Sequence, residues 1–187
     1  MTLTAQQITE MAARVHTANG KWWIDLDTQQ PIKRNMGELL MLCISELSEA
    51  LEGDRKNLMD DKLPHRKMLE VELADALIRT LDIIGGLHVS PIQTPPYVSG
   101  WPDNTAECLL VITCSYVNAM LAITAHQDRD GFAYFEHHMS RAVERLVSLS
   151  DHLGLDIMGA YEEKMAYNAT RHDHSIEGRK AEGGKKY

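Results

Sequence analysis

Four carboxylates, in two pairs, have the residue types and spacing to hold a divalent cation. Glu46 and Glu49 lie in "SELSEALEG" (45–53), and Glu72 and Asp75 lie in "VELADALIRTLDIIGG" (71–86). An i,i+3 spacing puts both members of a pair on one helix face. Two such helices side by side would let four oxygen donors converge. Carboxylate oxygens suit Mg²⁺, with Mn²⁺ as an alternative, and Mg²⁺ takes few protein ligands alongside substrate phosphates. A cation also explains why like charges three apart, which repel on a helix, are kept. Glu52 continues the spacing of Glu46 and Glu49 but reads as solvated. A lone ExxE is usually a solvated face with salt bridges; the pairing of two such motifs on largely apolar helices is what singles these out.

The elements that must position them are helical. Apolar residues recur with helical period and strand alternation is scarce, which predicts helices at 4–18, 36–54, 66–87, 104–127, 131–153 and 156–170. Along the third of these, Glu72, Asp75, Arg79 and Asp82 form a narrow polar strip on an otherwise apolar surface. Buried carboxylates are costly unless protonated, paired or bound to a cation, so the strip should face a crevice. Asp82 is a possible further ligand, and Arg79 is expected to pair with Asp75 or Asp82. The segment 25–35 reads as a loop, and 89–104, with four of the six prolines, as a linker. After residue 172 apolar content falls, which predicts a mobile basic tail.

A shift of 69 positions lays "LLMLCISELSEAL" (39–51) on "CLLVITCSYVNAM" (108–120), and 72–86 on 141–155. Glu46 and Glu49 then face Ser115 and Asn118; Glu72 faces Arg141, and Asp75 faces Glu144. Such identities arise by chance between amphipathic helices, or they mark two similar hairpins of which only the first keeps the acidic set. The fold expected is a single all-α bundle over 1–187: two similar helical hairpins plus N- and C-terminal helices, with 88–152 as the extra hairpin.

The formal net charge of −8 argues against a general nucleic-acid binder. No apolar stretch reads as long enough to span a bilayer, the N-terminus does not read as a signal peptide, and Cys43, Cys108 and Cys114 read as reduced, buried thiols of a cytoplasmic protein. Carboxylates crowd 38–82 while Lys, Arg and Gly enrich 164–187. A metal–polyphosphate complex could bridge an acidic site and a basic tail.

The order ExxE, 22 intervening residues, ExxD, and later "KMAYNATR" (164–171) resembles the MazG-like branch of the all-α nucleoside triphosphate pyrophosphohydrolases. The similarity covers 36–87 and 153–171, with about sixty residues intervening where the family segment normally follows almost directly. The resemblance implies Mg²⁺-dependent cleavage between the α and β phosphates of a nucleoside triphosphate, ribo or deoxy, giving the monophosphate and pyrophosphate. It implies that Glu46, Glu49, Glu72 and Asp75 hold the metal, and that Lys164, Asn168 and Arg171 meet the nucleotide. Relatives oligomerise, so a homodimer or higher homo-oligomer is expected. From the residues themselves, Lys164, Asn168 and Arg171 share one face at i, i+4, i+7 and can grip phosphate oxygens, sugar or base; alternatively they are a basic last turn that complements the helix dipole. Of the carboxylates, Glu49, with Glu46 beside it, is the candidate to orient water or take its proton.

Trp22 and Trp23, in "GKWWIDLD" (20–27), either pack the first helix onto the core or stack on a base; packing is favoured, and Trp23 is the candidate for stacking. In "RKAEGGKKY" (179–187), Lys185 or Lys186 could supply charge to a triphosphate, or the tail is simply solvated. None of the nine histidines has the spacing of a metal site. Two rivals remain: hydrolysis of a modified nucleotide or alarmone with the same carboxylates, and a non-catalytic helical module that binds a metal or a basic partner.

Overall fold

The computed structural model describes residues 1–94, 100–125 and 129–185. Among them are seven α-helices and no strand beyond two isolated bridges: α1 (Ala5–Asn19), α2 (Met36–Lys56), α3 (Met68–Gly86), α4 (Thr105–Ala125), α5 (Arg129–His152), α6 (Ile157–Ala169) and α7 (Ile176–Lys180). The chain is an all-α helical bundle. Helix starts follow local chemistry. Thr4 and Gln7 form a capping box on α1, and the Asn35 and Asp156 side chains accept backbone N–H groups at the starts of α2 and α6.

Helix α3 is the central element. Leu73, Ala74, Ala76, Leu77 and Leu81 are fully enclosed, because α1, α2, α5 and α6 all pack on it. A helix apolar almost all round must be buried on most sides, as the sequence predicts. The α2–α3 and α4–α5 pairs are the two most extensive helix packings, and α2 also packs on α4 and α3 on α5. Shifted by 69 positions, the bounds of α2 are those of α4. In the second hairpin Ser115 stands where the first has Glu46; it is buried and accepts from Arg145 Nη1 at 2.7 Å.

The linker positions 95–99, and residues 126–127 of the helix expected to run to 127, lie outside the described residues, as does Lys186. Two sequence expectations change. Helix α4 carries only Glu107 as a charged residue, so by length and composition it is one helix long and apolar enough to cross a membrane; it packs on α2 and α5, and 39% of its most apolar window is buried. Leu110, Val117 and Leu121 remain exposed along it, and so does Cys114, whereas Cys43 and Cys108 are buried as expected. Second, the segment after 171, expected as a basic tail, carries regular structure. A 3₁₀ turn (His172–His174) and α7 fold back, and Arg179, only 5% exposed, lies 4.1 Å above the Trp22 ring and donates to the Lys21 carbonyl. Hydropathy does not register a cation–π contact, so the composition alone missed it.

Gly85 sets how closely α1 crosses α3: a Cβ there would lie 2.6 Å from both the Ala12 carbonyl oxygen and His16 Cβ. The backbone oxygen cannot swing aside. Gly85→Ala is therefore expected to destabilise the fold by about 1–3 kcal/mol, read by chemical denaturation, with an unchanged midpoint counting against this crossing.

Candidate functional site

A cleft of about 340 Å³ opens between α2, α3 and α6, within the size range of small-ligand sites. Helices α2 and α3, antiparallel across a short connection, bring oxygens of Glu46, Glu72 and Asp75 within 4.8 Å of one another. Glu46 and Glu72 are buried, and the Asp75 side chain is 16% exposed. Glu49 lines the same cleft but stands apart from this trio and is exposed. Of the four carboxylates expected as ligands, three converge and the fourth sits at the rim.

Two cations answer the cluster. Lys164, buried on α6, meets Asp75 at 2.8 Å. Arg79 pairs closely with Glu46 across the α2–α3 interface, rather than with Asp75 or Asp82, because Glu46 is the acid that α2 brings opposite it. Burial, then the neighbouring charge of Asp75, pushes the Glu72 carboxyl up to about 9, and a hydrogen bond with Glu46 adds to this. Burial also pushes Asp75 up to about 6, against the opposing pull of Lys164. For Glu49 the shift is upward as well, from burial and then Glu46. Three acids facing two bases leave an excess of negative charge in a low-dielectric site, which either protons or a cation must neutralise. Donors that are all carboxylate oxygen fit a hard divalent ion such as Mg²⁺.

The positioning of Lys164 depends on the loop between α2 and α3. Arg66 in that loop reaches Glu70 at 3.3 Å, Asp156 at 3.2 Å and Glu163 at 2.8 Å, tying the start of α6 to α3. The hydrogen bond from Arg66 is the main reason the Glu163 carboxyl is held down to about 2.

Asn168 and Arg171 also line the cleft. Asn168 Oδ1 is buried without a hydrogen-bond partner, an acceptor left over for a ligand. Arg171 and Lys185 both reach Asp173, at 2.6 and 3.2 Å, so one carboxylate holds two cations beside the cleft. Trp23 is not a stacking surface: its Nε1 donates to Asp82 at 3.1 Å, its ring lies edge-on to His16, and it abuts Gly86. Trp22 lines the cleft instead. Asp82 is occupied by His16 Nδ1 at 2.9 Å and by Trp23, so it holds the α1–α3 junction rather than joining the acidic cluster. Glu52 pairs with Lys56 and Arg55 outside the cleft. Sequence reasoning missed Asn19 and Arg34, which also line the cleft; both sit at the ends of the first interhelical segment, where no periodicity marks them.

Comparison with protein-family models, curated proteins and solved structures finds no match for this chain. The chemistry of the cleft is argued from its own side chains.

Proposed function

We propose that this cleft hydrolyses nucleoside triphosphates between the α and β phosphates, releasing the nucleoside monophosphate and pyrophosphate in a Mg²⁺-dependent reaction. The observation that carries the reading is the convergence of Glu46, Glu72 and Asp75 within 4.8 Å on two helices, with the buried Lys164 ammonium on a third. The resemblance of the ExxE, ExxD and KxxxNxxR motifs to MazG-like pyrophosphohydrolases supports it.

In this reading Glu46, Glu72 and Asp75 would hold Mg²⁺, which supplies charge neutralisation of the phosphates and polarisation of the phosphorus centre. Lys164 keeps Asp75 ionised and oriented. Arg171 and Lys185, poised on Asp173, exchange that carboxylate for phosphate oxygens, a charge-assisted contact of the same kind. Glu49, at the rim with an elevated pKa, accepts the proton of the attacking water, a role that favours a base titrating nearer to neutrality. The water oxygen bonds to the α-phosphorus, the bond to the α–β bridging oxygen breaks, and pyrophosphate leaves.

The test is incubation with ribo- and deoxyribonucleoside triphosphates, with and without Mg²⁺, and separation of the products by ion exchange. Monophosphate plus pyrophosphate, lost when Mg²⁺ is removed, is the expected result. Diphosphate plus orthophosphate would overturn the bond assignment. No turnover of any nucleotide would direct attention to modified nucleotides and then to a binding module.

A further inference from the structure

The cleft has two chemically different ends. Around Asp75 it is charged. One face of α3 further on, it is walled by Leu39, Leu42, Ile78 and Ile83, with Asn19 and Arg34 supplying polar groups. Asp75 and Asp82 lie seven residues apart on α3, about 10 Å along the axis. That is comparable with the reach from an α-phosphate across a sugar to a base.

Arg34 is held in place but not satisfied. Its Nη1 donates to the Trp22 carbonyl at 2.8 Å, its guanidinium lies 5.7 Å from the Trp23 ring centroid, and its Nη2 is buried with no hydrogen-bond partner. Guanidinium donates only, and a charged donor withdrawn from water without an acceptor is costly, so this nitrogen calls for an acceptor from a ligand. Asn19 offers the complementary group. Its side chain hydrogen-bonds Asp82, which also accepts from Trp23. A carboxylate accepts and does not donate, so the Asn19 amide nitrogen is the group turned to it, and the amide oxygen, which cannot bond that carboxylate, is left as an acceptor.

We propose that Arg34 is the specificity-determining residue of the cleft, its Nη2 donating to a carbonyl oxygen of the nucleobase while Asn19 accepts the adjacent ring N–H. This rests on the nucleotide reading above. Uracil, thymine and guanine carry a carbonyl beside a ring N–H. In the same register cytosine and adenine present an amine to the arginine and a bare ring nitrogen to the asparagine, a mismatch at both positions. The substrate class is therefore the nucleotides of carbonyl-bearing bases.

The test is calorimetric titration of the full chain with UMP, GMP, CMP and AMP, and separately with inorganic tripolyphosphate and Mg²⁺. UMP and GMP are expected to bind about tenfold or more tightly than CMP and AMP. Arg34→Met should erase that preference and Arg34→Lys should keep part of it. Thermal melts verify that both variants fold, and the wild-type ranking tests the proposal without either. Equal affinity for all four, or a preference that survives in Arg34→Met, overturns it. Tripolyphosphate binding with no base preference sinks the base assignment and leaves the nucleotide reading standing; no binding of any ligand overturns both.

Discussion

Glu72→Gln is expected to cut Mg²⁺-dependent turnover by at least about a hundredfold, because even partners one step removed from a metal cost 10–100-fold when lost. The same substitution should make the metal-free protein less sensitive to alkali. Glu72 and Asp75 have folded-state pKa values raised to about 9 and about 6. The folded chain therefore holds protons that the unfolded chain has already released. Their contribution is fully present below the ordinary carboxylate range and is lost as pH rises, first through Asp75 near 6 and then through Glu72 towards 9. Thermal unfolding in chelator from pH 5 to 9 should show wild-type stability falling, by an amount on the order of a few kcal/mol, and a flatter curve for the variant. Since the glutamine resembles the protonated acid, it should cost little stability at pH 5. Saturating Mg²⁺ should oppose the wild-type decline, because the cation needs the ionised ligands and displaces their protons. An unchanged slope in the variant would mean that the acidic cluster stores no repulsion at Glu72.

The helices were legible because burial leaves a period in the sequence. α3 shows this best: Glu72, Asp75, Arg79 and Asp82 form one polar strip on its largely apolar surface, and that strip does line the cleft. The same logic placed Lys164, Asn168 and Arg171 together on one face of α6 and its end. What periodicity cannot express is choice among neighbours on the same arc. Glu49 shares the face of Glu46 yet lands at the rim, because the approach of α3 decides which acid is enclosed. Trp22 and Trp23 are adjacent, and only contacts distant in sequence, Asp82 and Gly86 for Trp23 and Arg179 for Trp22, separate the cleft ring from the packing ring. Arg34 sits in a loop 45 residues before Arg79, and its place in the cleft appears only when the fold brings Asn19 and Asp82 to line the same space. The packing of the C-terminal segment was illegible for a related reason: its anchor is an arginine on an indole face, a contact made by a residue that hydropathy counts as polar.

Lys164→Met should be the most damaging single change to the site. The Lys164 side chain is 5% exposed and its ammonium sits 2.8 Å from Asp75. Burial opposes its charge, but the Asp75 carboxylate outweighs burial and the Lys164 pKa is raised. Removing one partner of a buried pair costs about 3–5 kcal/mol, because the other charge is left uncompensated; here that charge also faces Glu46 and Glu72. Asp75→Asn strands the lysine in turn and should cost a similar amount. The double variant, with neither charge, should be far less destabilised than the sum of the two, since replacing both members of a buried pair is often close to neutral. Denaturation of the four proteins in chelator measures this coupling, and strict additivity would mean that the pair contributes nothing as a pair. Adding Mg²⁺ should partly rescue Lys164→Met by supplying positive charge to the same oxygens, whereas the double variant has lost a ligand and should respond less. Stability and activity then part company. On the proposed reading the double variant should regain the fold without regaining turnover, because Asp75 would hold the cation and Lys164 would keep Asp75 ionised. That separation distinguishes an acidic cluster kept for chemistry from one that merely holds α6 against α3, a task that Arg66 already performs through Glu70, Asp156 and Glu163.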